Sequence, residues 1–140
     1  MRHFARPCWE QERTAWAEQA LKDVGITGQV YSFFERMDLV YAVSDLAIGR
    51  AGATFLAEIA AKQIPAILIP YPYGNGHQLL NAKAFCGRHE AVVLEQEHLT
   101  SQKLKEKILV MLKKNNRLPA ESNSRKSLAD FIEASAGSRR

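Results

Sequence analysis

Apolar and polar positions along this chain follow a pattern that predicts helices alternating with short strands. The first helix is predicted over residues 9–24, where apolar residues recur roughly on one face and Gly25 provides the C-cap. A short buried strand is predicted over residues 29–34, and one or two helical turns are predicted over residues 38–44.

The middle of the chain repeats one arrangement, a fully apolar run of strand length followed by a loop and a helix. Glycine and proline bound these runs and punctuate the chain. The predicted elements are, in order, a strand over 46–49, a helix opening at 52–54, a strand over 66–69, a helix over 77–85, a strand over 91–94 and a helix from about 101 to 115 with Thr100 as its N-cap. A further short helix is predicted near Leu128.

Short apolar strands that alternate with helices are typical of βαβ units. The predicted fold class is therefore α/β, a Rossmann-like parallel sheet with helices on both faces. We expect residues 1–115 to form this domain and residues 116–140 to form a basic polar tail. Ligands of parallel sheets bind where strands end and the next helices begin, so the loops after the strands are the first candidates for a site.

Composition places the chain among ordinary globular proteins. Of its 140 residues, 46% are hydrophobic and 24% are charged. No apolar run approaches the roughly 18 residues that span a bilayer, and the charged N-terminus lacks the apolar segment of a signal peptide. Cys8 and Cys86 are too few for a disulfide framework or a cysteine-based metal site, so we expect packed thiols in a reducing, cytoplasmic setting.

The excess positive charge is confined to the C-terminal end. Residues 1–112 hold 12 Lys and Arg against 12 Asp and Glu, so the formal net charge of +4 comes from residues 113–140. Because basic and aromatic residues are not interleaved either, we expect no nucleic-acid partner. A basic tail is either a solvated terminus or a segment that touches anionic lipid, and the first interpretation is preferred.

A small-residue stretch between a predicted strand and a predicted helix is the first candidate for chemistry. It reads Gly49-Arg50-Ala51-Gly52-Ala53-Thr54. Small side chains let a ligand approach the backbone, and the free N–H groups at a helix start favour an anion such as phosphate. The stretch matches neither common phosphate-binding motif, and a tight structural turn explains it equally well.

Two further candidates follow along the chain. Glu58 lies in an otherwise apolar helix, where its carboxylate either accepts hydrogen bonds from a ribose diol or faces solvent beside Lys62. His77, Gln78 and Asn81 follow a loop rich in proline and glycine, and they suit either sugar hydroxyls and phosphates or helix capping. No second His or Cys stands at ligand spacing, so we expect no metal.

These candidates occur within three linked stretches, FFERM, SDLAIGRAGATFLAEIAAKQIPAILIPYPY and HQLLNAKAF. Together the stretches resemble the C-terminal, donor-binding domain of glycosyltransferase family 28. Glu58, the His77-Gln78 pair and Asn81 stand at the family's spacing without a gap, and weaker similarity continues to about residue 112.

The resemblance implies the second Rossmann-like half of a two-domain GT-B enzyme. The resemblance further implies transfer of N-acetylglucosamine from UDP-N-acetylglucosamine to a lipid-linked peptidoglycan precursor, in the cytoplasm or peripherally on the inner face of the cell membrane. The resemblance places the uracil at the backbone of the Phe33-Phe34 loop and the ribose at Glu58. It places the diphosphate at Ala51, Gly52, Ala53 and Thr54, and the sugar and phosphates at His77, Gln78 and Asn81, with Arg50 as a further substrate-binding residue. It implies no catalytic residue in this chain, no metal and no other cofactor.

The chain departs from the family's pattern in several places. Phe55 stands where the family usually has a hydroxyl residue. Lys62-Gln63 replaces the family's glycine at a helix end, and residues 88–90 replace a small, glycine-containing turn. The family's opening strand and its N-terminal acceptor domain have no counterpart in the sequence. We therefore expect the acceptor site and the catalytic base to come from a missing N-terminal domain or a partner subunit.

Two alternatives to a transferase domain stay open. One is a non-catalytic UDP-sugar-binding or scaffold fragment, in which an exposed sheet edge favours a homodimer. The other is a UDP-sugar hydrolase whose C-terminal half is built similarly. The His77-Gln78 pair and the Arg50–Ala53 stretch favour the transferase family over the hydrolase.

Overall fold

The computed structural model describes residues 8–73 and 75–114. The short helix predicted near Leu128 lies outside them. The chain divides into two compact units, one that ends at Met37 and one that begins at Asp38. Among the described helices, none has both the length and the apolar character needed to cross a membrane.

The first unit contains helix α1 (Cys8–Asp23), and Gly25 terminates it as predicted. Gly25 has a φ of 66°, a left-handed conformation that glycine adopts without steric cost. The N–H groups of Gly25 and Ile26 donate to the carbonyls of Lys22 and Leu21, each at 3.0 Å. These bonds satisfy carbonyl groups that a helix end otherwise leaves free.

The strand predicted over residues 29–34 is wrong, because these residues form neither strand nor helix. The ring centres of Tyr31 and Phe34 lie 5.0 Å apart. On a strand, residues three positions apart point to opposite faces and are separated by roughly 10 Å along the backbone. The segment therefore bends, and no strand of the described sheet pairs with it.

The remaining helices and strands alternate as predicted, and every end that was predicted agrees with the structure within one residue. They are α2 (Met37–Val43), β1 (Ala47–Gly49), α3 (Ala53–Ala61), β2 (Ala66–Leu68), α4 (His77–Cys86), β3 (Ala91–Val93) and α5 (Ser101–Lys114), with a 3₁₀ turn at Gln96–His98. The predicted N-cap of α5 is confirmed, because Thr100 Oγ1 accepts the N–H of Lys103 at 3.2 Å.

The three strands form one parallel sheet in the order β1-β2-β3, which confirms the predicted α/β class. All three residues of the central strand β2 are buried. Ile67 and Leu68 of β2 and Ile59 of α3 are the largest fully buried side chains. Since parallel strands all end at the same edge, the loops after β1 and β2 become neighbours.

Candidate functional site

The loop between β1 and α3 is open to a ligand. Gly52 is the N-cap of α3, with φ −75° and ψ 147°, and no side chain caps the helix start. A Cβ atom added to Gly52 would meet no atom within 4 Å. The first N–H groups of α3 therefore face accessible space, and together with the helix dipole they suit an anion.

Arg50 joins this loop to the loop that follows β2. Its Nη1 atom donates to the carbonyl oxygens of Ile69 at 3.1 Å and Pro70 at 3.2 Å. Its guanidinium carbon lies 5.6 Å from the ring centre of Tyr71. These contacts fix the two loops against each other and hold the positive charge of Arg50 against the loop after β2.

Side chains of α4 reach both loops. Gln78 Oε1 accepts the backbone N–H of Tyr71 at 2.9 Å, and Asn81 Nδ2 lies a long 3.5 Å from the carbonyl oxygen of Ala51. His77 is exposed at the first position of the helix. The structure thus brings Gln78 and Asn81 against the loops that carry Arg50 and residues 51–54.

Phe34 lies in the first unit, where its ring contacts Tyr31. The uracil contact at this residue stays a prediction.

Glu58 lies in the middle of α3 with an exposed side chain. Its Oε2 atom accepts a hydrogen bond from the hydroxyl of Tyr41 at 2.8 Å. Tyr41 belongs to α2 and is only 8% exposed. Burial, and then the hydrogen bond and the negative charge of Glu58, raise the pKa of Tyr41 to about 12. The phenol is therefore protonated at neutral pH and donates to the carboxylate.

Sequence reasoning missed Tyr41, although a signal was present. The helix over residues 38–44 was interpreted through its apolar residues alone. A tyrosine in a short helix that packs on a core usually needs a hydrogen-bond partner for its hydroxyl. The one acidic residue of the apolar helix α3 is Glu58, which made it the natural partner to consider.

The departures from the family's pattern have structural explanations. The Phe55 ring packs on Gly49, and a Cβ at Gly49 would lie only 2.9 Å from Phe55 Cζ. Gln63 adopts a left-handed φ of 52° at the end of α3. His89 stacks on Phe85 with ring centres 4.3 Å apart, which stabilises the turn after α4 without a left-handed glycine.

The remaining candidates for chemistry are weak. Cys86 is a half-buried free thiol whose pKa burial raises, which makes it a poor nucleophile. Within residues 8–73 and 75–114, no three His, Cys, Asp or Glu side chains gather in a way that could hold a metal. A cavity of about 130 Å³ between the loop after β2 and residues 95–97 is lined by Glu95 and Glu97, whose charges disfavour a diphosphate.

Comparison with known proteins assigns the family. The family model described as glycosyltransferase family 28 C-terminal domain matches residues 8–135. The chain belongs to this family. As a family 28 domain, it carries the open start of α3 and the Gln78 and Asn81 contacts on the second, parallel-sheet unit described above.

Curated relatives of this family 28 domain are UDP-N-acetylglucosamine--N-acetylmuramyl-(pentapeptide) pyrophosphoryl-undecaprenol N-acetylglucosamine transferases. The protein of Halothermothrix orenii is 41% identical over 117 residues and that of Chlamydia muridarum 46% over 121 residues. Each match covers 79% of this chain but only 32% and 34% of the relatives. The chain thus spans about a third of their length.

A solved structure supports the same assignment. The crystal structure of Acinetobacter baumannii MurG matches this family 28 domain with a TM-score of 0.60 and 28% sequence identity. The match covers 85% of this chain and 37% of the MurG chain. The resemblance noted from the sequence and the Rossmann-like α/β fold class are both confirmed.

Proposed function

We propose that this family 28 domain binds UDP-N-acetylglucosamine as the donor-binding part of a glycosyltransferase that acts on a lipid-linked peptidoglycan precursor. The observation that carries the proposal is the open start of α3, which lies beside Arg50 and Asn81. The names of the curated relatives, which give this donor and this acceptor, support it.

The diphosphate of the donor would meet residues 51–54 and the charge of Arg50. The backbone N–H groups of residues 51–54 would donate to the diphosphate without help from side chains, and the helix would hold them in place. Glu58 would accept hydrogen bonds from the ribose hydroxyls, and Phe34 would contact uracil through its backbone. His77, Gln78 and Asn81 would hold the sugar and the phosphates, since their amide and imidazole groups both donate and accept.

Transfer would proceed by attack of an acceptor hydroxyl on the anomeric carbon, with inversion and departure of UDP. The share of this domain is to stabilise the negative charge that develops on the leaving diphosphate, through donors already pointed at it. We propose that no metal takes part, because the start of α3 and Arg50 supply the positive potential.

The acceptor site and the catalytic base would come from outside this chain, since the chain spans about a third of its relatives' length. They would belong either to an N-terminal domain or to a partner subunit. We place the assembled enzyme in the cytoplasm, peripherally on the inner face of the membrane, where a nucleotide-sugar donor can meet a lipid-linked acceptor.

Isothermal titration calorimetry of the purified 140-residue chain tests donor binding. UDP-N-acetylglucosamine and UDP should bind with micromolar to millimolar affinity, and ADP should bind more weakly. Circular dichroism of the same sample establishes that the chain is folded. Equal affinity for ADP, or no binding by a folded chain, would contradict the proposal.

A second candidate function is favoured by the edge of the sheet. The N–H of Ala47 and the carbonyl of Gly49 bond to the β2 side at 2.9 and 2.8 Å. Because these groups alternate along a strand, those of Ile48 face away from β2, and the Ile48 side chain is 44% exposed. A non-catalytic UDP-sugar-binding fragment that homodimerises through β1 fits this observation.

A further inference from the structure

We infer that Tyr41 is a positioning residue for Glu58, whose carboxylate its hydroxyl holds in the orientation needed to accept hydrogen bonds from the donor ribose. This inference rests on the proposed function, because it takes the ribose to lie at Glu58. It adds to the site a residue that never touches the donor.

The geometry joins two different helices. Tyr41 in α2 and Glu58 in α3 are 17 positions apart, and the hydroxyl lies 2.8 Å from Oε2. The Tyr41 ring is buried, with 8% exposure. The last turn of α2 is stabilised by a further hydrogen bond, in which Ser44 Oγ donates to the carbonyl of Val40 at 2.7 Å. The donor of this hydrogen bond therefore has a fixed position.

The acceptor of the bond is by nature mobile. An exposed glutamate on a helix samples several rotamers, and holding it in one orientation costs conformational entropy. The hydrogen bond to Tyr41 orders the carboxylate before any ligand binds, so the carboxylate is preorganised and ligand binding loses less conformational entropy. One oxygen is engaged by the phenol, and the other oxygen is available to a vicinal diol.

The direction of the bond is also fixed. A protonated phenol donates to an ionised carboxylate, which cannot donate in return. Because burial, the hydrogen bond to Glu58 and the charge of Glu58 raise the pKa of Tyr41 to about 12, this polarity holds throughout the neutral range. A phenylalanine would fill the same buried space, so packing alone does not call for the hydroxyl.

The test measures how well the chain discriminates a ribose diol. UDP and 2′,3′-dideoxyuridine 5′-diphosphate are titrated into the 140-residue chain, Tyr41→Phe, Glu58→Gln and the double variant. Tyr41→Phe should weaken UDP binding about three- to tenfold, the value of one hydrogen bond, and leave the dideoxy ligand unaffected. Glu58→Gln should weaken UDP selectively too, and adding Tyr41→Phe to it should cause little further change.

The matched control is Tyr73→Phe, which removes a hydroxyl from a ring that is 70% exposed and should leave the ratio of the two affinities unchanged. Thermal unfolding establishes that each variant is folded.

The possible outcomes distinguish the positioning role of Tyr41 from the ribose site at Glu58. Equal weakening of both ligands by Tyr41→Phe would assign the hydroxyl a packing role and overturn the inference. A Tyr41→Phe variant that discriminates as the unchanged chain does, beside a defective Glu58→Gln, would overturn the inference and leave the proposed function standing. An unaffected Glu58→Gln, or an unchanged chain that binds no UDP, would overturn the ribose site and the inference with it.

Discussion

At the scale of single residues, the buried phenol of Tyr41 gives the site a measurable signature. Burial, followed by the hydrogen bond to Glu58 and its charge, raises the pKa of Tyr41 from 10.0 to about 12. The difference in tyrosinate absorbance between the unchanged chain and Tyr41→Phe should therefore titrate near pH 12. In Glu58→Gln the midpoint should fall only part of the way, because burial is the largest cause. A midpoint near pH 10 in the unchanged chain would contradict the buried pair.

The same pKa makes stability depend on alkaline pH. The unfolded chain loses the phenol proton near pH 10, whereas the folded chain keeps it to about pH 12. The protonated phenol of Tyr41 therefore contributes its full stabilisation of the folded state below pH 10, and this stabilisation is lost as the pH rises to 12. Relative to Tyr41→Phe, the unchanged chain should lose about 1 kcal/mol of unfolding free energy between pH 9 and 11. Urea denaturation at both pH values measures this, and a constant difference would refute it.

A substitution at Gly52 should weaken UDP binding without changing the stability of the fold. An added Cβ meets no atom within 4 Å, and a φ of −75° suits alanine, so Gly52→Ala should fold with unchanged stability. Its methyl group would stand before the N–H groups of α3 and should weaken UDP binding by about tenfold or more. Gly87→Ala, at the C-cap of α4 with φ −71°, is the calorimetric control. Undiminished UDP affinity in Gly52→Ala would show that the diphosphate does not bind at the start of α3.

At the scale of helices and strands, the sequence predicts those elements whose burial leaves a local pattern of apolar residues. A strand covered on both faces must be apolar throughout, so residues 66–68 were recognisable. Residues 29–34 are rich in apolar and aromatic side chains but have no neighbouring strand in the described sheet, and local sequence carries no information about a missing neighbour. Within the site, Gln78 and Asn81 were found for their side-chain chemistry.

The contacts that sequence reasoning could not supply are tertiary ones. Arg50 was proposed as a ligand of the donor, yet its contacts with two carbonyls depend on how the loops after β1 and β2 meet. The pair of Tyr41 and Glu58 likewise joins helices that no local pattern connects. In both cases the residue type was visible, and its partner was not.

The end of α3 offers a test of element-level strain. The N–H groups of Gln63 and Ile64 donate to Ala60 and Ile59, both at 3.0 Å, a Schellman arrangement that places Gln63 at φ 52°. Gln63→Gly should raise the unfolding free energy by about 0.5–1 kcal/mol, because glycine adopts this conformation without strain. Lys62→Gly, at φ −97°, should lower it by a similar amount. A loss of stability in Gln63→Gly would show that the strain is negligible.

At the scale of the whole molecule, donor binding and transfer should separate. The chain spans about a third of its relatives, and the proposal assigns the catalytic base to another polypeptide segment. We expect the 140-residue chain to bind UDP-N-acetylglucosamine but to transfer no radiolabelled sugar to a lipid-linked acceptor. The full-length Chlamydia muridarum N-acetylglucosamine transferase, assayed in parallel, is the positive control. Transfer by the chain alone would require a base within it and would refute this division.

The sheet edge makes the competing interpretation testable. The backbone groups of Ile48 face away from β2, and its side chain is 44% exposed. An edge strand presents unpaired backbone groups with which another copy can pair, and a charged side chain on the edge opposes that pairing. If the chain is a homodimer built on β1, sedimentation should show a concentration-dependent dimer that Ile48→Lys abolishes. Val110→Lys, at a 58% exposed apolar position on α5, should leave the dimer intact. A chain that stays monomeric while it binds UDP would exclude the homodimer and favour the transferase domain, because the donor site would then need no second copy.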